Sequence, residues 1–212
     1  MSTSPPSRSV KIGNDERTGW SSERPRRDGA PPRLADISTR NRVLNPDFRL
    51  RYSPGSLVVI VGAASAGAAG WAERIFEERA AVLSSAKVRA LLAGKLPDEQ
   101  IAERTPQLLL AAATKRLEAK QSVALVLDGF DAEERDRYLR LAHGLRRPRH
   151  AILIEGARDE VTDEERPALD AFRKALDDGE LGAEGFQTSL RLGGRALQEL
   201  KRIVFQPPPA ED

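Results

Sequence analysis

From about residue 55 onward, short apolar runs alternate with amphipathic stretches. Leu57–Val61 is continuously apolar and β-branched, the pattern of a strand covered on both faces of a parallel sheet. Residues 68–80 place Trp71, Ile75 and Phe76 at i, i+4 and i+5, which predicts a helix. Ala81–Ser84 predicts a brief strand, and 86–93 and 98–119 predict helices. The second helix has an apolar surface of Ile101, Leu108, Leu109, Ala112 and Leu117, and Pro106 inside it is expected to break or kink it. Ser122–Leu127 predicts a strand, 133–143 a helix, Ala151–Ile154 a strand, 164–178 a charged helix, 195–200 a short helix and Ile203–Phe205 a last strand. The stretch 184–194 (EGFQTSLRLGG) reads as a turn-rich return, with Phe186, Leu190 and Leu192 alternating. About five strands with helical crossovers describe an α/β domain with a mostly parallel sheet.

Residues 1–35 are rich in Ser, Pro, Gly, Arg and Asp and lack the apolar content to repay ordering. The expected organisation is a disordered N-terminal arm over 1–52, a folded domain over 53–206 and a disordered tail over 207–212. Within the arm, 36–52 carries Val43, Leu44, Phe48, Leu50 and Tyr52 and is able to dock as a short strand. Ser53-Pro54-Gly55 makes a turn.

Composition narrows the class. Of 212 residues, 40% are hydrophobic and 31% charged, enough for one ordinary domain plus a tail. No apolar run approaches the roughly 20 residues that span a bilayer, and no signal peptide is visible. Cysteine is absent, which removes disulfides, thiolate nucleophiles and Cys-based zinc sites and fits a cytoplasmic setting. The formal net charge of +2 hides a split. Residues 1–50 carry 10 Lys/Arg against 6 Asp/Glu, and the rest is slightly acidic. The body is therefore not one that grips a phosphate backbone over many contacts.

The first strand leads into Gly62-Ala63-Ala64-Ser65-Ala66-Gly67-Ala68-Ala69. A working P-loop is a hydrophobic strand, then GxxxxGK[ST], then a helix. Gly62 and Gly67 have that separation, and Ser65 adds a possible donor. The positions of the phosphate lysine and the magnesium hydroxyl hold Ala68 and Ala69. Gly62, Gly67 and the following amides could still wrap an anion; equally, the small residues simply permit a tight strand-to-helix turn.

LVVIVGAASAGAAG, LSSAKVRALLAG (83–94) and SVALVLDGFDAEERDRYLRLA (122–142), in that order and spacing, resemble the P-loop kinase family related to polynucleotide 5′-kinases. Small bacterial members described as AAA family ATPases or predicted kinases are the nearest in character. The resemblance covers about residues 53–155, with an echo over 166–190. It implies a three-layer P-loop NTPase-like fold. It also implies roles for particular positions. The family's SSDxxR stretch falls on Ser84-Ser85-Ala86-Lys87-Val88-Arg89, so Ala86 stands where the general base is expected and Arg89 where an arginine meets substrate phosphate. Asp128 matches the leading carboxylate after the third core strand, and Arg137 the arginine beyond it. A lid after the fourth strand would supply basic residues; Arg158, Arg166, Arg173 and Lys174 are the candidates, or the surface is merely charged and solvated. Lys87 is the one cation that could lean back toward the phosphate site.

His143 and His150 flank the basic run at 146–149. Two imidazoles alone are a weak metal site, and none is expected. Glu155 ends a strand in a position open to metal or structural use. Trp20 is a possible anchor for a partner. With phosphate lysine, magnesium hydroxyl and base all vacant, the expected function is a catalytically degenerate P-loop kinase-like protein acting as a binding or scaffolding module. Its partner is expected to be a protein engaged through the N-terminal arm, or a nucleic acid end held by Arg89, Arg137 and the 146–149 run, with no membrane involved. The alternatives are a weak ATP-dependent kinase of polynucleotide or small-molecule hydroxyls, the one case that requires ATP and magnesium, and a structural component of a larger assembly.

Overall fold

The computed structural model describes residues 49–156 and 161–207, with Ser65 described by its backbone alone. The expectations for residues 1–48 (Trp20 among them), for Arg158 and for the end of the tail at 208–212 lie outside the described residues.

The domain is built around strand β2 (Leu57–Gly62), all six residues of which are buried. That burial is what the unbroken apolar run requires. Two parallel strands flank it: β4 (Val123–Val126), with Leu57 opposite Val123, and β5 (Arg149–Glu155), with Leu57 opposite Arg149. Strand β3 (Val82–Ser84) adds to the outer edge of β4, and β6 (Thr188–Gly193) to the outer edge of β5. The sheet order is β3-β4-β2-β5-β6, parallel throughout.

Alternate residues of β2 feed two separate cores, as the period of a strand dictates. Leu57, Val59 and Val61 pack with helices α3 (Asp98–Glu118), α4 (Ala132–Gly144) and α5 (Arg166–Asp178) through Leu109, Leu139 and Phe172. Val58 and Ile60 pack on the other face with Trp71 and Ile75 of α1 (Ala68–Ile75). Burying one such aliphatic side chain is worth about 1.5–3 kcal/mol, so the two faces together anchor the sheet. Helices α2 (Ser85–Leu92), α6 (Leu181–Glu184) and α7 (Gly194–Glu199) complete the layers.

Four expectations need correcting. The stretch 188–193 is a strand, not a turn-rich return. As an edge strand pairing with β5 it needs no continuous apolar run, and only Ser189 and Leu192, on opposite faces, are buried. The last strand, β7 (Arg202–Phe205), does not join the main sheet. It forms a parallel two-stranded ribbon with β1 (Arg49–Tyr52), Arg49 opposite Arg202 and Tyr52 opposite Phe205. The helix from 68 ends at Ile75 rather than 80, because Phe76 leaves it to bridge Ile203 and stack on Phe205 at 5.6 Å. Finally, Pro106 does not break α3, which runs unbroken from Asp98 to Glu118. Pro106 supplies no N–H to the Ala102 carbonyl, and Ala102 and Pro106 both lie on an exposed face of the helix. Among the described residues no helix is long and apolar enough to cross a membrane.

From β2 the chain crosses to one side, toward β3, while β5 lies on the other. In open α/β sheets, ligands bind outside the carboxyl ends of the strands at such a switch in direction.

Candidate functional site

The carboxyl end of β2 turns sharply into α1. Gly62 is there because a Cβ would stand 2.9 Å from the Ile154 carbonyl oxygen of the neighbouring strand. Gly67 has φ +59°, a left-handed conformation that favours glycine, and caps the start of α1. Between them Ala64–Ala66 form a single 3₁₀ turn. Two amides close it: Ala66 N–H donates to the Ala63 carbonyl at 2.9 Å and Gly67 N–H to the Ala64 carbonyl at 3.5 Å. Ala66 presses on the end of β5, where a Cβ on Gly156 would lie 3.3 Å from the Ala66 Cα. Ala68, in the first turn of α1, is 8% exposed and packs into the core, with Ala69 against its edge.

A carboxylate from the far side of the chain meets this loop. The Ala64 N–H donates to Glu165 Oε1 at 2.8 Å. Thr162 Oγ1 donates to Glu165 Oε2 at 2.9 Å and accepts from the Glu165 N–H at 3.3 Å, so the carboxylate is held in place from behind. The Ala64 amide first, and the Thr162 hydroxyl second, keep the Glu165 carboxyl below the ordinary carboxylate range. Sequence reasoning missed Glu165. The signal was the T-x-x-E spacing of Thr162 and Glu165 ahead of a helix, which carries no hint that the carboxylate reaches residue 64.

On the other flank, Ser84 caps α2 by accepting the Lys87 N–H at 3.2 Å. Ala86 lies in that first turn. Lys87 does not lean toward the loop: its ammonium lies 3.2 Å from the Val82 carbonyl oxygen and 3.5 Å from that of Arg79. Arg89 and Asp128 are brought together in a 2.7 Å ion pair, each side chain about half exposed. Arg137 is exposed on α4. It belongs to the same neighbourhood, since the Glu134 carboxyl is raised by burial first, then by Asp128 and Asp131, while Arg137 opposes the shift.

The expected basic lid is neutralised locally among the described residues. Arg166 is bonded to Asp163 and the Val161 carbonyl, and exposed Lys174 is bonded to Asp178. Arg173 turns inward to Glu155 at 2.6 Å, and Arg191 meets the same Glu155 oxygen at 2.8 Å. Glu155 thus joins α5 to the edge strand, a structural use.

The basic run at 146–149 is at the opposite end of the sheet. Arg149 faces the first residue of β2 while Ile154 faces the last, roughly 17 Å apart along the strand. Arg147 donates to the Leu117 carbonyl and Arg149 to that of Gly185. The run and Arg89 therefore do not form one surface for a nucleic acid end. His143 is exposed at the end of α4. His150 Nδ1 lies 2.8 Å from Thr188 Oγ1, with its ring 4.6 Å from that of Tyr52.

A triphosphate with magnesium does not fit this loop as arranged. It would meet the Glu165 carboxylate at Ala64, and methyl groups at Ala68 and Ala69 in place of an ammonium and a hydroxyl. Among the described residues no group of three or more His, Asp or Glu is disposed to hold a metal ion.

Among solved structures, the chain is similar to a proposed kinase from Chloroflexus aurantiacus, at 13% identity over 68% of this chain and 87% of that one, with a TM-score of 0.46. It is also similar to the APS kinase CysC of Mycobacterium tuberculosis, solved with AMPPNP and APS, at 16% identity over 70% and 95% of the two chains and a TM-score of 0.40. An uncharacterized protein from Eubacterium ventriosum gives 16% identity over 68% and 91%, with a TM-score of 0.35. No curated protein matches the chain. The family model described as AAA domain matches residues 57–166, more than half of the chain and the whole path from β2 to the turn bearing Glu165. The chain belongs to this AAA domain family, and its fold is an α/β domain with a parallel five-stranded sheet.

Proposed function

We propose that this protein is a catalytically degenerate member of its family, a binding or scaffolding module that keeps the P-loop frame without phosphoryl transfer. The observation that carries the reading is the set of side chains around the loop. Methyl groups occupy the positions of the phosphate cation, the magnesium ligand and the base (Ala68, Ala69, Ala86), and Lys87, Arg89 and Arg173 are already engaged elsewhere. Phosphoryl transfer depends on charge neutralisation and positioning, and a neighbour replacing one lost group would leave the other two vacant. The degenerate Walker A and the kinship with polynucleotide 5′-kinases belong to this proposal. So does a protein partner engaged through the N-terminal arm, which the ribbon of β1 with β7 supports by tying the arm's end to the domain.

Calorimetric titration of the full chain with ATP, with and without magnesium, tests the reading. No saturable binding in the micromolar range and no phosphate release are expected. Micromolar, magnesium-dependent binding accompanied by hydrolysis would overturn it in favour of a weak kinase, to which the intact Arg89–Asp128 pair would then be relevant.

A further inference from the structure

We propose that Glu165 is an autoinhibitory occupant of the loop at 62–67, an internal carboxylate seated on the Ala64 amide that an external oxyanion must displace. The contact joins residues 101 positions apart, so it is not a local turn bond. It is built rather than incidental. Thr162 fixes the second oxygen, and the turn that carries both residues is anchored by Val161 and Leu169, which are 6% and 2% exposed. The adjacent cation does not compete for the carboxylate, because Arg166 is directed to Asp163 and the Val161 carbonyl. Of the neighbouring amides, that of Ala66 is spent on the Ala63 carbonyl and that of Gly67 on the Ala64 carbonyl.

A charge-assisted bond to a backbone N–H is among the stronger kinds of hydrogen bond. Losing it, however, requires only that one partly exposed side chain rotate away, with no unfolding of the core. The device therefore sets a threshold for anions instead of abolishing the loop. The contact depends on the geometry of the loop and not on which residues stand at 68, 69 and 86.

The test uses the full chain and inorganic phosphate as the probe, read by calorimetry and by the amide resonance of Ala64. Glu165→Ala should bind phosphate about tenfold more tightly than the parent, the value of one charged hydrogen bond. Thr162→Val, which removes the support behind the carboxylate, should fall between them. Glu164→Ala carries the same charge change one residue away and should behave as the parent. Equal affinities for Glu165→Ala and Glu164→Ala would overturn the proposal, since a general charge effect would then suffice. Should Glu165→Ala fail to fold, hydrogen exchange in the parent decides. The Ala64 amide should be protected in the parent, lose protection in phosphate-free Glu165→Gln and regain it when phosphate is added; unprotected exchange in the parent would overturn the proposal. ATP hydrolysis by the parent would sink the function proposed above and leave this result standing.

Discussion

Arg135 and Glu184 are joined by three hydrogen bonds of 3.1–3.2 Å, which tie α4 to α6. The same guanidinium donates to the Phe130 carbonyl and lies 4.9 Å over the ring of Phe172. Family resemblance pointed two residues further on, to Arg137. The chemistry of position 135 is structural: its side chain is 5% exposed. Arg135→Ala should destabilise the domain by about 1–3 kcal/mol, because the Phe130 carbonyl loses its donor, Phe172 its packing partner and the partly exposed Glu184 its ion pair. Arg137→Ala, at an exposed position, should change stability by less than about 0.5 kcal/mol. Urea unfolding of the two variants side by side checks the contrast.

Truncation should have a sharp edge between residues 48 and 53. Leu50 and Tyr52 pack against the cluster of Phe76, Ile203 and Phe205. A chain starting at residue 49 should keep the parent's stability, whereas one starting at residue 53 should lose roughly 2–4 kcal/mol of apolar burial. Thermal melts of the two truncated chains distinguish this from a domain that begins at 53, for which both would match the parent.

His150 makes stability depend on pH. Burial first, and Arg149 second, bring its imidazole down from the ordinary 6.5 to about 4. Between those values the unfolded chain binds a proton that the folded chain refuses, so stability rises with pH across the window. The contribution is complete above pH 6.5 and is lost as pH falls toward 4, by up to about 3 kcal/mol. His150→Gln keeps a polar partner for Thr188 and should flatten the pH profile of unfolding free energy over that interval. An unchanged profile would remove His150 as the cause.

Restoring the missing polar groups should not by itself restore nucleotide binding. Ala68→Lys with Ala69→Ser supplies the cation and the hydroxyl, but Glu165 still faces the phosphates. ATP affinity should rise by about tenfold over that double variant when Glu165→Ala is added. Turnover should stay near background in both, since Ala86 offers no base. Calorimetry and a phosphate-release assay read the two effects separately; full binding by the double variant alone would show that the carboxylate is no barrier.

The sheet was legible wherever burial on both faces forces an unbroken apolar run, as at Leu57–Val61 and Ser122–Leu127. It was less legible at its edge. Strand β6 carries Ser189 and Arg191 among its leucines because it has one neighbour and each face is only partly covered. The position of β7 depends on β1 and Phe76, a long-range pairing that no local pattern encodes. The loop itself could be read from Gly62 and Gly67. Its occupant could not, since the contact between Ala64 and Glu165 is set by how α5 approaches the sheet. Lys87 and Arg173 show the converse limit: spacing placed cations near the site, and only coordinates revealed that their heads face elsewhere.

The parallel ribbon at the start of the domain has a mechanical consequence. Tension on the segment before Arg49, opposed by a hold on the chain beyond Phe205, would load every bond between the two strands at once, in shear, rather than peel them one by one. A tug through the arm would therefore reach Phe76 and the end of α1 before the ribbon yields. Pulling on the ends of the chain with an optical trap should give one abrupt rupture there; gradual unzipping would argue against such a clamp.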